Sequence, residues 1–404
     1  MSNNVEKNFI CDPIDCIGCG VCVSVCPRKC IQMEETQEGF MYPIIDLKKC
    51  VNCKLCEKKC PQNVEHKKMT SKFYMAWHKN RKIVMNSSSG GVFSALAQWV
   101  LDKGGVVVGA EFDASTKEVR HELIDNPKDL FKLKLSKYYQ SKTTDIFYKV
   151  QEQIKRKVLV LFTGTACQIA ALNSFLGEID KKYLITLDVL CHGVASKKVV
   201  LEYIKSKEKE YNKKIIDFRF RIKEGKEGWQ SGSGTRMKLF FSDGTSVVQN
   251  KYTDTYFVGF NSNIFLRESC YRCKYCGQNR ISDFTAADFW GVTLERVSKK
   301  QLYDGVSVLL VNSDKARTIL SELALVMNIQ EIDPQEAIPY NRAFEKPNIR
   351  PRSRSDFFDL LEKEGFDKTV KSINHRYYRN MAIKNCLKGL LPNKLYKILL
   401  KNKL

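Results

Sequence analysis

Apolar and polar positions change rhythm several times along this chain. Residues 83–85 are short and apolar, Asn86–Gly91 is small and polar, and Val92–Leu101 has apolar residues at helical spacing. Gly104-Gly105 stops that helix, and Val106–Phe112 reads as a strand. Together these predict a strand–loop–helix–strand unit of α/β type. The pattern recurs. Lys157–Phe162 reads as a strand, Gly164-Thr165 as a turn and Cys167–Phe175 as a helix. Tyr183–Leu190 is a further strand, followed by the Cys191-His192-Gly193 loop and a helix from Lys197. Arg236–Ser242 and Ser246–Asn250 flank Asp243-Gly244 as a hairpin, and Val306–Val311 is a late buried strand. Residues 66–80 are polar at first and read as a linker. Residues 346–404 start polar and proline-interrupted and end basic, with a helical pattern.

The first sixty residues carry a different signal. Cys16, Cys19, Cys22 and Cys26 precede Pro27, and Cys50, Cys53, Cys56 and Cys60 precede Pro61 with the same spacing. Three thiolates at this spacing wrap one iron–sulfur cube, and the fourth cysteine of each run reaches the other cube. One cluster should therefore take Cys16, Cys19, Cys22 and Cys60, and the other Cys50, Cys53, Cys56 and Cys26. Zinc, which takes four ligands as two pairs, fits two runs of four poorly. Cys11 and Cys30 fall outside the pattern and read as structural or incidental thiols. This stretch, over residues 8–65, resembles the bacterial ferredoxin with two cubane clusters.

At 404 residues the chain is long enough for a large core. Most of its 16 cysteines fall in cluster spacing, which points to a reducing compartment. The start MSNNVEKNFI has no secretory pattern, and no apolar run is long enough to span a bilayer. A cytoplasmic protein is expected. The formal charge is +22. Each cluster would subtract about 2 units, so the chain stays basic. A basic surface favours acidic partners, such as a small electron carrier, a polyanion or an anionic membrane face. Nucleic acid is not expected, because no recognition motif accompanies the charge.

Further chemistry sits in the longer part. Asn86-Ser87-Ser88-Ser89-Gly90-Gly91 precedes a helix and suits either an anion site or ordinary capping. Cys167 and Cys191 lie at two strand ends, and Cys270, Cys273 and Cys276 form Cys-x-x-Cys-x-x-Cys. Strand ends on one edge of an α/β sheet converge, so these thiols could form a third cluster site. Zinc at the Cys270 run and inert buried thiols at the strand ends are the alternatives. Cys191 beside His192 suggests a nucleophile–base pair, but adjacent residues on an extended segment point apart. Gly232-x-Gly234 reads as a turn. Asp283 and Asp288 are acid/base material, with capping and turn formation the more economical reading. Leu390–Leu404 sets apolar residues among lysines at helical spacing. A helix docked on the body is favoured there over one lying on an anionic membrane surface.

SSSGGVFSAL, SKYYQS, GTACQIAAL, DVLCHGVAS and SCYRCKYCGQNRISDFTAADFWG occur in this order. Over residues 75–340 the chain resembles the coenzyme F-420 hydrogenase/dehydrogenase beta-subunit family, whose members look like FAD-binding iron–sulfur proteins. Some exchange hydride with the deazaflavin coenzyme F-420, and a plant relative reduces a chlorophyll derivative. The resemblance implies that Ser88, Ser89, Gly90 and Gly91 lie against FAD, and that Ser136, Lys137, Tyr138 and Gln140 line its pocket. Thr165 joins the cofactor-binding set, and Lys137 is the candidate catalytic residue, opposite negative charge on the reduced flavin. It also implies Cys167, Cys191, Cys270 and Cys273 as ligands of a third 4Fe-4S cluster, with Cys276 competing with Cys273.

The expected architecture is α/β. A two-cluster ferredoxin-like α+β domain (1–65) and a linker (66–80) lead to a larger α/β flavin-binding domain (81–345) and a basic, mostly helical C-terminal region (346–404). The expected activity is electron transfer between a one-electron carrier, ferredoxin or flavodoxin, and a two-electron substrate or deazaflavin coenzyme. An electron-input subunit of a larger redox or polysaccharide-biosynthesis assembly, and a cluster-based redox sensor, are the alternatives.

Overall fold

The computed structural model describes residues 9–224, 228–229 and 236–390. Gly232, Gly234 and residues 391–404 of the basic tail lie outside the described residues. Thirteen strands are described. They are β1 (Ile31–Glu35), β2 (Met41–Ile45), β3 (Lys72–His78), β4 (Val106–Asp113), β5 (Glu118–Ile124), β6 (Val160–Thr165) and β7 (Leu184–Val189), then β8 (Ile215–Ile222), β9 (Arg236–Phe241), β10 (Ser246–Gln249), β11 (Phe284–Asp288), β12 (Ser307–Val311) and β13 (Met327–Glu331).

An eight-stranded mixed sheet runs in the order β13-β3-β12-β11-β7-β6-β4-β5. Its centre is parallel: β4 pairs with β6, β6 with β7 and β7 with β11. The flanking pairs are antiparallel. The central strands carry mostly apolar residues, and helices cover both faces. Val92–Asp102 and Asp314–Val326 pack Leu96, Val100, Ile319 and Leu323 against Val107, Leu161 and Ile185 on one face. Ile146–Lys155 and Ala166–Leu176 pack Phe147, Val150, Ile169 and Leu172 against Val108, Val160 and Phe162 on the other. A three-stranded antiparallel sheet, β10-β9-β8, forms a third packing centre with the helix Lys197–Tyr211.

The sequence expectations need three corrections. Residues 83–85 are not a strand. The Asn80 side chain accepts from the Lys82 N–H and starts a short helix, Arg81–Met85. Residues 66–80 are not all linker. Lys72–His78 is β3, hydrogen-bonded to β12 on one side and β13 on the other. Its Phe73, Met75 and Ala76 are buried, and only a partner strand on each edge makes so short a run stable. Thr165 and Gly164 end β6 rather than forming a separate turn.

The region from residue 346 packs on the body. Helices Arg354–Glu364 and Phe366–Ile373 bury Phe357, Leu361, Phe366 and Val370 against Tyr203 and Phe265. Arg354 is fully buried. It donates to Glu38 Oε1 at 2.8 Å and Oε2 at 2.6 Å, and to the Leu266 carbonyl at 3.0 Å. The helix His375–Leu390 follows. Among the described residues no helix is long and apolar enough to cross a membrane.

The N-terminal cysteine module holds β1 and β2 as an antiparallel hairpin and docks on the main body. The Thr143 hydroxyl donates to the Cys19 carbonyl at 2.9 Å, the Gln140 amide to the Ile17 carbonyl at 2.9 Å, and the Ser24 hydroxyl to the Thr144 carbonyl at 3.0 Å. Gly20 has φ 76°, and a Cβ there would lie 2.2 Å from Thr144 Oγ1. Glycine at this position thus serves the turn and the close approach together.

Candidate functional site

The turn of the first cysteine run carries Cys16, Cys19 and Cys22 round one small cavity, and Cys60 reaches it from the second run. Cys60 of the second run thus lies beside the thiols of the first. Ile10, Val21, Met33 and Pro43 make the rest of the wall apolar. Burial pushes the Cys22 thiol up to about 12 and Cys19 well above the usual range. Cys16 is instead held down at about 6, first by a hydrogen bond from Cys11, then by the Arg267 charge and the Gly18 N–H.

The second expected set is Cys26, Cys50, Cys53 and Cys56, of which Cys56 feels the Cys26 charge. Cys53 is exposed, and the Asn52 N–H donates to Cys50 Sγ at 3.4 Å. Here too a fifth thiol intrudes. Cys30 Sγ lies 3.4 Å from Cys26 Sγ and also contacts Cys50. Cys11 and Cys30, read from spacing as structural or incidental, therefore stand in contact with the two thiol sets.

The third set assembles from distant parts of the chain. Cys167 opens the helix after β6, Cys191 follows β7, and Cys270 and Cys273 lie on the segment leading to β11. The strand order β11-β7-β6 brings them together. Burial first and then charge on Cys273 raise Cys167 to about 11 and Cys270 to about 12. Burial also raises Cys191, which feels Cys270, Cys167 and Cys273 in turn. Cys276 hydrogen-bonds to Cys273, whose pKa falls to about 7. A buried ion pair secures the arrangement. Arg280 donates to Asp188 Oδ2 at 2.9 Å and to the Tyr275 carbonyl at 2.9 Å, tying the end of β7 to the cysteine loop. Among the described residues no three His, Cys, Asp or Glu form a group sized for a single metal ion. A cubane carries its four thiolates farther apart than one ion does.

Two residues that the sequence did not reveal join the first and third sets. Arg267 is 1% exposed. Its guanidinium donates to the Cys16 carbonyl at 2.7 Å, the Met41 carbonyl at 3.0 Å and Gln140 Oε1 at 3.0 Å, and lies 4.3 Å from the Tyr42 ring centre. Its charge lowers the pKa of Cys16, Cys167 and Cys270. Tyr275 donates to the Pro61 carbonyl at 2.9 Å, and burial together with Cys167, Cys19, Cys273 and Cys60 raises its pKa. No local pattern marks an arginine or a tyrosine for such a place.

The expected flavin residues are partly gathered. Ser88 Oγ accepts from the Ser136 N–H at 2.9 Å and from its hydroxyl at 3.0 Å, so the Ser88 loop and the 136–140 segment meet. Gly91 caps the helix Val92–Asp102 without a side-chain bond to the first-turn N–H groups. Other members are engaged elsewhere. Ser89 donates to the Val306 carbonyl, and Gly90 presses so close to β3 that a Cβ would lie 2.2 Å from the Ala76 oxygen. Gln140 faces the cysteine module. Thr165 contacts Cys167 Sγ at 3.0 Å and forms a capping box with Gln168. The Lys137 ammonium, lowered to about 7 by burial, donates to the Lys134 carbonyl at 2.7 Å. Tyr138 packs its ring against Phe257 and Phe260.

Other candidates resolve into structure. Asp283 accepts from the Thr186 N–H and hydroxyl and from the Ser313 hydroxyl. Asp288 takes a bidentate pair from Arg221 at 2.7 and 2.8 Å. His192 Nε2 meets the Phe260 carbonyl, while Cys191 Sγ faces the Gly193 carbonyl, so the two form no dyad. Lys223, lowered to about 7 by burial, donates to the carbonyls of Val84, Ser89 and Asp304 and holds the serine loop in place.

Residues 73–147 match the model described as coenzyme F420 hydrogenase/dehydrogenase, beta subunit N-term, and residues 158–336 match the C terminus of the same subunit. Residues 15–64 match a 4Fe-4S dicluster domain. A solved structure of the F420-reducing [NiFe] hydrogenase complex from Methanosarcina barkeri aligns at 14% identity and TM-score 0.46, over 76% of this chain and 93% of that one. A search of curated proteins finds no match. The two subunit models follow one another over most of the chain, from β3 to residue 336, so the chain belongs to the coenzyme F420 hydrogenase/dehydrogenase beta-subunit family and carries a 4Fe-4S dicluster domain at its N-terminal end.

Proposed function

We propose that the protein is an iron–sulfur flavoprotein oxidoreductase that moves electrons between an acidic one-electron carrier and a two-electron substrate. The observation that carries this reading is the junction of two thiol sets at Arg267 and Tyr275. Cys16, Cys19, Cys22 and Cys60 would hold one cubane, Cys26, Cys50, Cys53 and Cys56 a second, and Cys167, Cys191, Cys270 and Cys273 a third. Ser88, Gly91, Ser136, Lys137 and Tyr138 would hold FAD. The fit rests on the uncapped helix start at Gly91, which leaves N–H groups for an anion. Lys134 lies nearby, adding its charge to the burial that lowers the pKa of His78 beside Gly91. Clusters exchange electrons singly and a flavin singly or in pairs, which is the chemistry these groups supply.

The module has an inner and an outer side. Its first thiol set faces the body through Arg267, Gln140 and Thr143. Its second set lies by exposed Cys53, among exposed Arg28, Lys29, Lys48, Lys49, Lys54 and Lys58. Exposed Leu47 and Val51 add an apolar centre. A cationic rim around an apolar patch suits an acidic carrier such as a ferredoxin or flavodoxin. Exchange with a deazaflavin coenzyme and work within a larger complex belong to the same reading.

Anaerobic purification with iron, acid-labile sulfide and flavin analysis tests it. About 12 irons and one flavin per chain are expected for three cubanes. Zinc in the thiol sets with no flavin would end the proposal.

A further inference from the structure

Of the 16 cysteines, the fifteen whose side chains are described sort by spacing and contact into three groups of five. Each group is a four-thiol set with one extra member: Cys11 in the first, Cys30 in the second and Cys276 in the third. A buried cysteine usually packs as a small apolar residue and needs no thiol neighbour. Here the extra thiol always touches members of its four-thiol set. Cys11 lines the same cavity as Cys16 and Cys60 and hydrogen-bonds to both. Cys30 is 4% exposed, and its sulfur lies 3.4 Å from Cys26 and in contact with Cys50. Cys276 hydrogen-bonds to Cys273.

We propose that Cys11, Cys30 and Cys276 are reserve ligands, each able to replace a neighbouring cysteine on its cluster. The inference rests on the cluster reading above and goes beyond it, because four thiolates already complete a cubane. Two sulfurs at 3.4 Å are in van der Waals contact, so an iron bound to one is within a side-chain rotation of the other. The backbone need not move. The Cys30 carbonyl is anchored by the Asp46 N–H at 2.7 Å.

The exchange balances without an oxidant. The incoming thiol gives up its proton and forms an iron–sulfur bond. The departing thiolate breaks its bond and takes that proton. Cluster charge and iron valence stay unchanged. The five-thiol sets thereby keep their clusters when one ligand is removed by substitution, the incoming thiol's proton then passing to solvent.

The test uses the full chain, purified without oxygen, as Cys26→Ala, Cys30→Ala and the double variant. Iron, sulfide and the reduced EPR spectrum are measured for each. Cys26→Ala is expected to keep the full wild-type iron with a shifted EPR signal for one cluster. Cys30→Ala should keep both iron and signal. The double variant should lose about a third of the iron, one cubane of three. The Cys60→Ala and Cys11→Ala pair repeats the logic at the first set, and the signals of the untouched clusters report folding. Loss of the cluster in Cys26→Ala and in Cys60→Ala alone overturns the proposal, as does full iron in both double variants. A wild-type protein without iron sinks the cluster reading itself, and this inference with it.

Discussion

Replacing Arg267 with methionine removes a buried cation and keeps most of its volume. The loss can be worked from its surroundings. Three oxygens, of Cys16, Met41 and Gln140, lose a charged donor at 2.7–3.0 Å in a site that is 1% exposed. Stranding buried acceptors of this kind costs about 3–5 kcal/mol in all. The second effect is electrostatic. The partners of this cation are neutral oxygens, and its burial makes sense beside sets of thiolates carrying net negative charge. Each one-electron reduction adds one more negative charge. At about 8 Å and an effective dielectric near 20, the guanidinium favours that charge by about 2 kcal/mol. One-electron potentials scale at about 59 mV per tenfold, so Arg267→Met should lower the neighbouring potential by about 90 mV. An EPR-monitored redox titration under argon reads it. The Cys16 and Cys270 clusters should both move down, while the Cys53 cluster, on the outer side, stays nearly still. Arg267→Lys should restore most of the potential and less of the stability, because an ammonium cannot reproduce the three-way fork. Equal shifts at all three clusters, or none, would refute the placement of this charge between two of them.

Three further outcomes follow from the same geometry. Cys270→Ala should lower the iron content by about one cluster of three and leave the N-terminal module's EPR signals in place, as measured by metal analysis beside the spectrum. Reversing Lys48, Lys49, Lys54 and Lys58 to glutamate should weaken the holoprotein's affinity for an acidic ferredoxin by about tenfold or more and flatten its salt dependence in calorimetry. An unchanged affinity would move the docking face elsewhere. The last concerns His121, which is 5% exposed, hydrogen-bonded to Ser141 and the Thr163 carbonyl, and lowered from 6.5 to about 4 chiefly by burial. As pH falls from 6.5 towards 4 the unfolded chain binds this proton first, so stability drops across that window, by about 3 kcal/mol in total. Anaerobic urea unfolding between pH 7.5 and 5 should show that slope, and His121→Asn should reduce it.

What could be read from the sequence follows the range of each interaction. The N-terminal runs place three thiols within one tight turn, so spacing alone gave the sets, and even the crossing of Cys60 to the first cavity. The helices Lys197–Tyr211 and Ala166–Leu176 and the β9–β10 hairpin were legible because capping, periodicity and turn chemistry are local. β3 was missed because its polar preamble hid a short apolar run. That run is a strand only because β12 and β13 flank it. Cys11 and Cys30 fell outside the motif, and contact with ligand thiols is invisible in one dimension.

The amino-acid order by itself determined that this chain carries four-thiol runs of cubane spacing, an α/β body and a basic surface, since each depends on residues a few positions apart or on composition. Tertiary structure alone decided which distant thiols meet, that Arg267 and Tyr275 stand between two of the sets, and that Lys223 and Arg280 hold loops rather than ligands. The physical reason is that a buried charge or thiol takes its role from whatever the fold packs against it, and strand order, set by the whole sheet, chooses those neighbours.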